Sequence, residues 1–146
     1  MAYIKWDDKL LINISVIDNQ HQKLYELTNR LHAELLVGRG DKVLGEILTS
    51  LVDYVKVHFA EEENYMEKYN YPHYEKHKIA HKEFISKIRG YIMKYKDKTP
   101  LLAREILIYL RGWYEEHIIN IDKIFGAFLH ETGNDKIIEA REKATT

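Results

Sequence analysis

Seven residues carry metal-binding side chains in ligand-type spacings drawn from four separate segments of the chain. His58 and Glu62 form an i,i+4 pair in His58-Phe-Ala-Glu-Glu62, and His77 and His81 form another in His77-Lys-Ile-Ala-His81. His117 and Asp122 stand five apart in His117-Ile-Ile-Asn-Ile-Asp122, and His21 stands alone in Ile17-Asp18-Asn19-Gln20-His21. Five imidazoles and two carboxylates are too many donors for one tetrahedral zinc. Calcium and magnesium want oxygen-rich shells. Imidazole mixed with carboxylate suits iron, and two irons can share bridging carboxylates.

Glu62 and Asp122 are the natural bridges, because a carboxylate offers two oxygens and an imidazole one free nitrogen. With a bridging oxo or hydroxo group the count is unequal. One iron takes His77, His81, His117 and three bridges, making six donors. The other takes His21, His58 and the same bridges, making five. The open position on that second iron suits a small ligand such as O2.

Helices must position these donors, and the chain is poor in helix breakers, with seven Gly and two Pro. After an irregular arm over 1–17, Asp18 is suited to cap a helix over about 18–37 carrying Leu24, Leu27, Leu31 and Leu35. Gly38-Arg39-Gly40 ends it. Asp41 is suited to cap a second helix over about 41–69, with Leu44, Ile47, Leu48, Leu51 and Val55 on one face. Pro72 fits the first turn of a third, over about 72–95. Thr99-Pro100 reads as an N-cap and first helical residue of a fourth, over about 99–132, which Gly133 stops. Asn134 is suited to cap a short polar helix through about Lys143 in the tail, residues 134–146. Short connections force antiparallel neighbours, so the expected fold is all-α: a single-domain, up-down-up-down four-helix bundle with an N-terminal arm and a tail helix.

In an antiparallel pair, residues equidistant from the turn lie at one height. The midpoint of His21 and His58 is about 39.5, within the Gly38–Gly40 turn. The donors of the second and third helices reflect about a point near 69.5, beside Asn70–Pro72, and those of the third and fourth about one near 99, at Thr99–Pro100. All seven residues therefore fall at one level. His117 and Asp122 diverge by about 140° on a straight α-helix. Either the Asp reaches sideways, or the helix bulges or overwinds there.

The composition excludes several chemistries. Cysteine is absent, so disulfides, iron–sulfur clusters, thiolate zinc sites and cysteine nucleophiles are ruled out. A formal charge of -1 gives no electrostatic case for nucleic acid or an anionic membrane. No segment approaches the roughly 18 apolar residues of a membrane span, and the N-terminus has no apolar run resembling a signal peptide, so a soluble, cytoplasmic protein is expected.

The pattern H…HxxxE…HxxxH…HxxxxD closely resembles the hemerythrins, specifically the single-domain bacterial type, the bacteriohemerythrins. Ile17-Asp18-x-Gln20-His21, Tyr71-Pro72 ahead of the third-helix pair, and Trp113 ahead of His117 reinforce it. The resemblance covers roughly residues 1–133. It implies reversible O2 binding at a non-haem di-iron centre, with His21, His58, Glu62, His77, His81, His117 and Asp122 as the ligands. An apolar wall would then shield bound O2, and Leu24, Phe59, Trp113, Tyr114, Ile118 and Phe125 are its candidates. Ordinary core packing accounts equally well for any one of these six. His32, His73 and His130 read as structural or solvated, and Glu61 and Glu63 as solvent charges flanking Glu62.

The favoured role is O2 storage, buffering or delivery, with an O2-consuming enzyme as a possible acceptor and no catalytic activity of its own. Histidine-rich ligation stabilises high-valent iron less than carboxylate-rich ligation does, and no general acid or base is evident beside the seven donors. The alternatives are a sensor of O2, nitric oxide or redox state, and a di-iron oxidase or peroxidase.

Overall fold

The computed structural model describes residues 3–98 and 100–145. An arm with one short turn, Asp8–Leu10, leads into α1, Ser15–Leu36, followed by α2, Gly40–Lys68, and α3, Tyr74–Lys96. The fourth helix runs through three parts: α4, Leu102–Glu116; a π-helical turn, His117–Asp122; and α5, Lys123–Glu131. The tail helix α6, Asn134–Thr145, ends the described chain. Helix α1 packs on α2 and α2 on α3, while α4 closes the ring against α1 and α3. This is the expected up-down-up-down bundle.

Two turns are fixed by the same closure. Gly38 takes φ +76, and the Arg39 amide reaches back to the Glu34 carbonyl at 2.8 Å while Gly38 N–H reaches that of Leu35 at 3.1 Å. Asn70 takes φ 55, with Tyr71 N–H on Met66 O at 2.9 Å and Asn70 N–H on Glu67 O at 3.3 Å. In each, a left-handed residue lets two amides satisfy carbonyls the helix leaves open. Gly and Asn suit that conformation because it crowds a bulky side chain.

The helix starts differ from expectation. Helix α1 begins at Ser15, and Asp18 is not its cap. The Asp18 carboxylate instead accepts the amides of Ile12 at 2.9 Å and Asn13 at 3.0 Å, pinning the arm to the bundle. Asp41 lies inside the first turn of α2 and Arg39 holds the cap position, so Asp41 helps only through the helix dipole. Pro72 sits in the turn before α3, and Pro100 precedes α4, which starts after the left-handed Leu101. The expected Thr99 cap lies outside the described residues.

Two apolar clusters flank the level of the seven donors. The larger includes Leu24, Leu31, Leu48, Phe59, Phe84, Leu110, Tyr114 and Ile118. The smaller gathers Ile12, Ile14, Ile17, Met66, Tyr71, Phe125, Leu129 and Ile138, so the arm and α6 close that end of the bundle. Each fully buried Leu, Ile or Phe contributes roughly 1.5–3 kcal/mol, which holds the polar layer between them in place.

Candidate metal centre

Each donor reaches the centre from the inner face of its helix: His21 from α1, His58 and Glu62 from α2, and His77 and His81 from α3. His117 and Asp122 come from the two ends of the π turn. All seven are at most 2% exposed. The π turn settles the spacing problem of the fourth helix. A π-helix bonds i to i+5, so residues five apart come back to one face. Asp122 Oδ1 thus lies 3.1 Å from His117 Nε2.

The carboxylates divide their oxygens between two histidine sets. Glu62 turns Oε2 toward His58 Nε2, 3.2 Å away, and Oε1 toward His77 and His81, at 2.8 and 3.7 Å. Asp122 turns Oδ2 toward His21 Nε2 at 3.0 Å, and Oδ1 toward His77 at 2.9 Å as well as His117. Donor atoms of Glu62, His77, His81, His117 and Asp122 lie within 4.8 Å of one another, and so do those of His21, His58 and Glu62.

This arrangement fits cations, and in their absence it is poorly satisfied. Both oxygens of Glu62 and of Asp122, His21 Nε2 and His81 Nε2 are buried yet lack an aligned hydrogen bond. Buried polar atoms without partners are costly, and convergent nitrogens and carboxylate oxygens are the donor set that iron accepts.

Electrostatics follow from the crowding. Burial and the nearby Asp122 push Glu62 up, but the His58 and His77 imidazoles outweigh them and hold it down to about 2. Burial also opposes ionisation of Asp122, yet His117, His21 and His77 hold it well below the usual carboxylate range. The two carboxylates in turn push His77 up to about 10, against the effect of its burial. His81 is driven down by burial, more than the Glu63 carboxylate raises it.

Neighbouring side chains fix the imidazoles. Glu63 Oε2 accepts from His81 Nδ1 at 2.9 Å, and Gln20 Oε1 accepts from His58 Nδ1 at 2.5 Å. The Gln20 amide nitrogen donates to Glu61 Oε2 at 2.5 Å. A carboxylate only accepts, so Glu61 orients the Gln20 amide, and Gln20 sets the proton on His58 Nδ1. The free nitrogen Nε2 of each ring is left aimed at the centre. Glu61 and Glu63 are therefore not mere solvent charges. Their position off the Glu62 face turns them toward neighbouring helices.

Aromatic rings wall the donors. Phe59 stacks on His81 with centroids 3.9 Å apart and planes 4° apart, and Trp113 stacks on His117 at 4.2 Å and 12°. Leu24, Tyr114 and Ile118 are fully buried in the same cluster, where the Tyr114 hydroxyl lies 2.9 Å from Thr28 Oγ1. Phe125 lies across the donor layer in the smaller cluster, against Tyr71 at 4.9 Å and edge-on to His77 at 6.2 Å. Tyr71, to which ligand spacing gives no pointer, is also edge-on to His77 at 6.4 Å. Its only sequence signal is the Tyr-Pro dipeptide before the His pair.

The remaining histidines lie apart from the centre. His32 stacks on Tyr3 at 4.6 Å, and His73 is exposed beside Tyr71. His130 links α5, α6 and the arm, with Nδ1 2.6 Å from Asp135 Oδ2 and Nε2 3.1 Å from the Ile12 carbonyl.

Comparison with known proteins agrees with this geometry. The family described as Hemerythrin HHE cation binding domain matches residues 13–129. A bacteriohemerythrin of Clostridium acetobutylicum is 33% identical over 123 residues, 81% of this chain and 95% of that protein. One from Stenotrophomonas maltophilia is 35% identical over 126 residues, 86% of this chain and 80% of its own. A myohemerythrin of Sipunculus nudus is 28% identical over 117 residues, 80% of this chain and 86% of its own. A wild-type hemerythrin crystal structure superposes with TM-score 0.78 at 27% identity, covering 86% of this chain and 97% of that one. On the family match and the sequence likeness together, this chain belongs to the hemerythrin family.

Proposed function

We propose that the chain is one domain that binds O2 reversibly at a di-iron centre, for storage, buffering or delivery to an O2-consuming enzyme. The observation that carries this reading is the divided aim of Glu62 and Asp122, each with one oxygen toward the His21–His58 side and the other toward the three-histidine side. His77, His81 and His117 would hold one iron and His21 and His58 the other, with Glu62 and Asp122 each placed to serve both. When bound, the reduced pair supplies both the open position and the electrons that O2 binding requires.

The protein's own part is to hold and to exclude. Gln20 and Glu63 keep His58 and His81 in the tautomer that presents Nε2 inward. Leu24, Phe59, Trp113, Tyr114 and Ile118 form the dry wall on the larger cluster's side, and Phe125 seals the other. Excluding water slows proton entry, and with it irreversible oxidation. A carrier rather than an enzyme is supported by that wall, whose rings stacked on His81 and His117 are the apolar Phe59 and Trp113. No described helix is long and apolar enough to cross a membrane, and a cytoplasmic location is part of the proposal. The test is to expose reduced, iron-loaded protein to O2. A visible absorption band that appears with O2 and disappears under vacuum supports carriage. Rapid, irreversible oxidation overturns it.

A further inference from the structure

The tail helix is bonded into the centre. Tyr65 on α2 has one hydroxyl proton and two carboxylate neighbours: Glu142 Oε1 of α6 at 3.0 Å and Glu61 Oε1 at 3.3 Å. Glu61 also receives the Gln20 amide, and Gln20 receives the His58 N–H. A line of hydrogen-bonding neighbours therefore runs from α6 to a donor of the two-histidine set, with a single proton at Tyr65 shared between Glu142 and Glu61. Its outer end lies beyond the family match, which stops at residue 129. Helix α6 is docked independently, by buried Ile138, by the Ser15 amide on Glu139 at 2.6 Å, and by Asp135 on His130.

We infer that α6 tunes the open side of the centre, with Glu142 and Tyr65 acting as positioning residues for His58. The inference rests on the reading of His21 and His58 as the O2-binding side. The physical basis is competition for one proton. With α6 docked, Tyr65 gives its proton mainly to the nearer Glu142, and Glu61 keeps more of its charge for Gln20. Gln20 Oε1 then accepts more strongly from His58 Nδ1, and a more strongly bonded N–H makes Nε2 a more basic ligand. Binding O2 draws electrons from the metal, so a more basic His58 favours the bound form. With Glu142 gone, the Tyr65 proton turns to Glu61 and every link weakens in order. Burial, with the Glu142 and Glu61 carboxylates beside it, pushes the Tyr65 phenol up, so the proton stays on the ring oxygen and only its direction changes.

The competition predicts opposite signs for two changes that both break the same bond. Glu142→Leu sends the proton to Glu61 and speeds O2 release. Tyr65→Phe removes the donor from Glu61 and slows it. About threefold is expected for each, below the 10- to 100-fold effect of losing a direct ligand partner. Glu142 has other neighbours, so the double variant is needed: with Tyr65→Phe in place, Glu142→Leu changes nothing further. The second readout needs no O2. In the reduced, iron-loaded protein, the exchangeable His58 Nδ1 proton is followed by NMR and assigned through Gln20→Leu, which removes its acceptor. The single variants move it to opposite sides of the wild-type position. Shifts in the same direction, or none, overturn the relay, as does a Glu142→Leu effect that persists without the Tyr65 hydroxyl. If wild-type protein fails to release O2 while the NMR shifts oppose, the carrier reading falls and the relay stands.

Discussion

Asp122 lies one π-helical turn beyond His117, and that turn brings its Oδ1 to 3.1 Å from His117 Nε2. The same carboxylate puts Oδ2 3.0 Å from His21 on α1, across the bundle. One irregular turn thus lets a single helix present Asp122 to both histidine sets. Asp122→Ala should remove the link between the two histidine sets and sharply lower iron content. Glu62→Ala should do the same, His77→Ala should also lower iron content, and each leaves buried polar groups without partners at a cost of about 1–3 kcal/mol. Elemental analysis and denaturant titration of the purified variants check this. Unchanged iron stoichiometry would falsify the ligand assignment.

Iron loading should release protons. In the metal-free chain the carboxylates keep His77 protonated up to about 10, and a metal must displace that proton. Loading at about pH 7.5 in buffers of differing ionisation enthalpy should show release of about one proton from this residue. Binding should weaken as pH falls.

Stability of the metal-free protein should depend on pH from both sides. His77 is raised from 6.5 to about 10, so its contribution is full below pH 6.5 and is lost as pH rises toward 10. Glu62 is lowered from 4.5 to about 2, so its contribution is full above pH 4.5 and is lost as pH falls toward 2. His81 runs the other way, its contribution full above pH 6.5 and lost as pH falls, so within the window of about pH 4.5 to 6.5 the metal-free chain should melt highest near the upper end. Thermal melts across that range test it, and a flat profile contradicts the pairing.

The arm is held to α5 by a close approach at Gly126. A Cβ there would meet both Ile12 Cβ and the Ile12 carbonyl oxygen at 2.9 Å. Gly126→Ala should push the arm away, weaken the His130 bond to Ile12, and cost about 1–3 kcal/mol as overpacking does. Urea unfolding measures the loss.

Trp113 shields His117 by stacking. Trp113→Ala should cost about 3 kcal/mol in packing and, by admitting water, shorten the lifetime of the O2-bound form. Trp113→Phe should restore most of both. The decay of the O2-dependent band in air is the readout.

The residues that were legible in the sequence share a physical reason. His58 with Glu62 and His77 with His81 repeat at the α-helical period, and reflection about the Gly38 and Asn70 turns needs only a constant rise per residue. The approach of Asp122 was not legible, because five-residue spacing is compatible with a reach, a bulge or overwinding. The start of α1 differs from the sequence expectation because the Asp18 side chain serves the arm's amides rather than its own helix. The roles of Glu61 and Glu63 are not legible in sequence, because angular position on one helix says nothing of the neighbouring helix they face. The tail's contacts were invisible for the same reason: Glu142 acquires meaning only from Tyr65, 77 residues earlier in the chain.

The proposed function requires seven side chains on four helices to hold an iron pair that binds O2 reversibly. Titration of reduced, fully loaded protein with O2, with iron counted in the same sample, tests it most directly. Two irons per chain, one O2 taken up per iron pair, and full release under vacuum over repeated cycles are expected. Uptake of O2 that cannot be recovered, or binding that persists when Glu62 and Asp122 are both replaced by alanine, would contradict it.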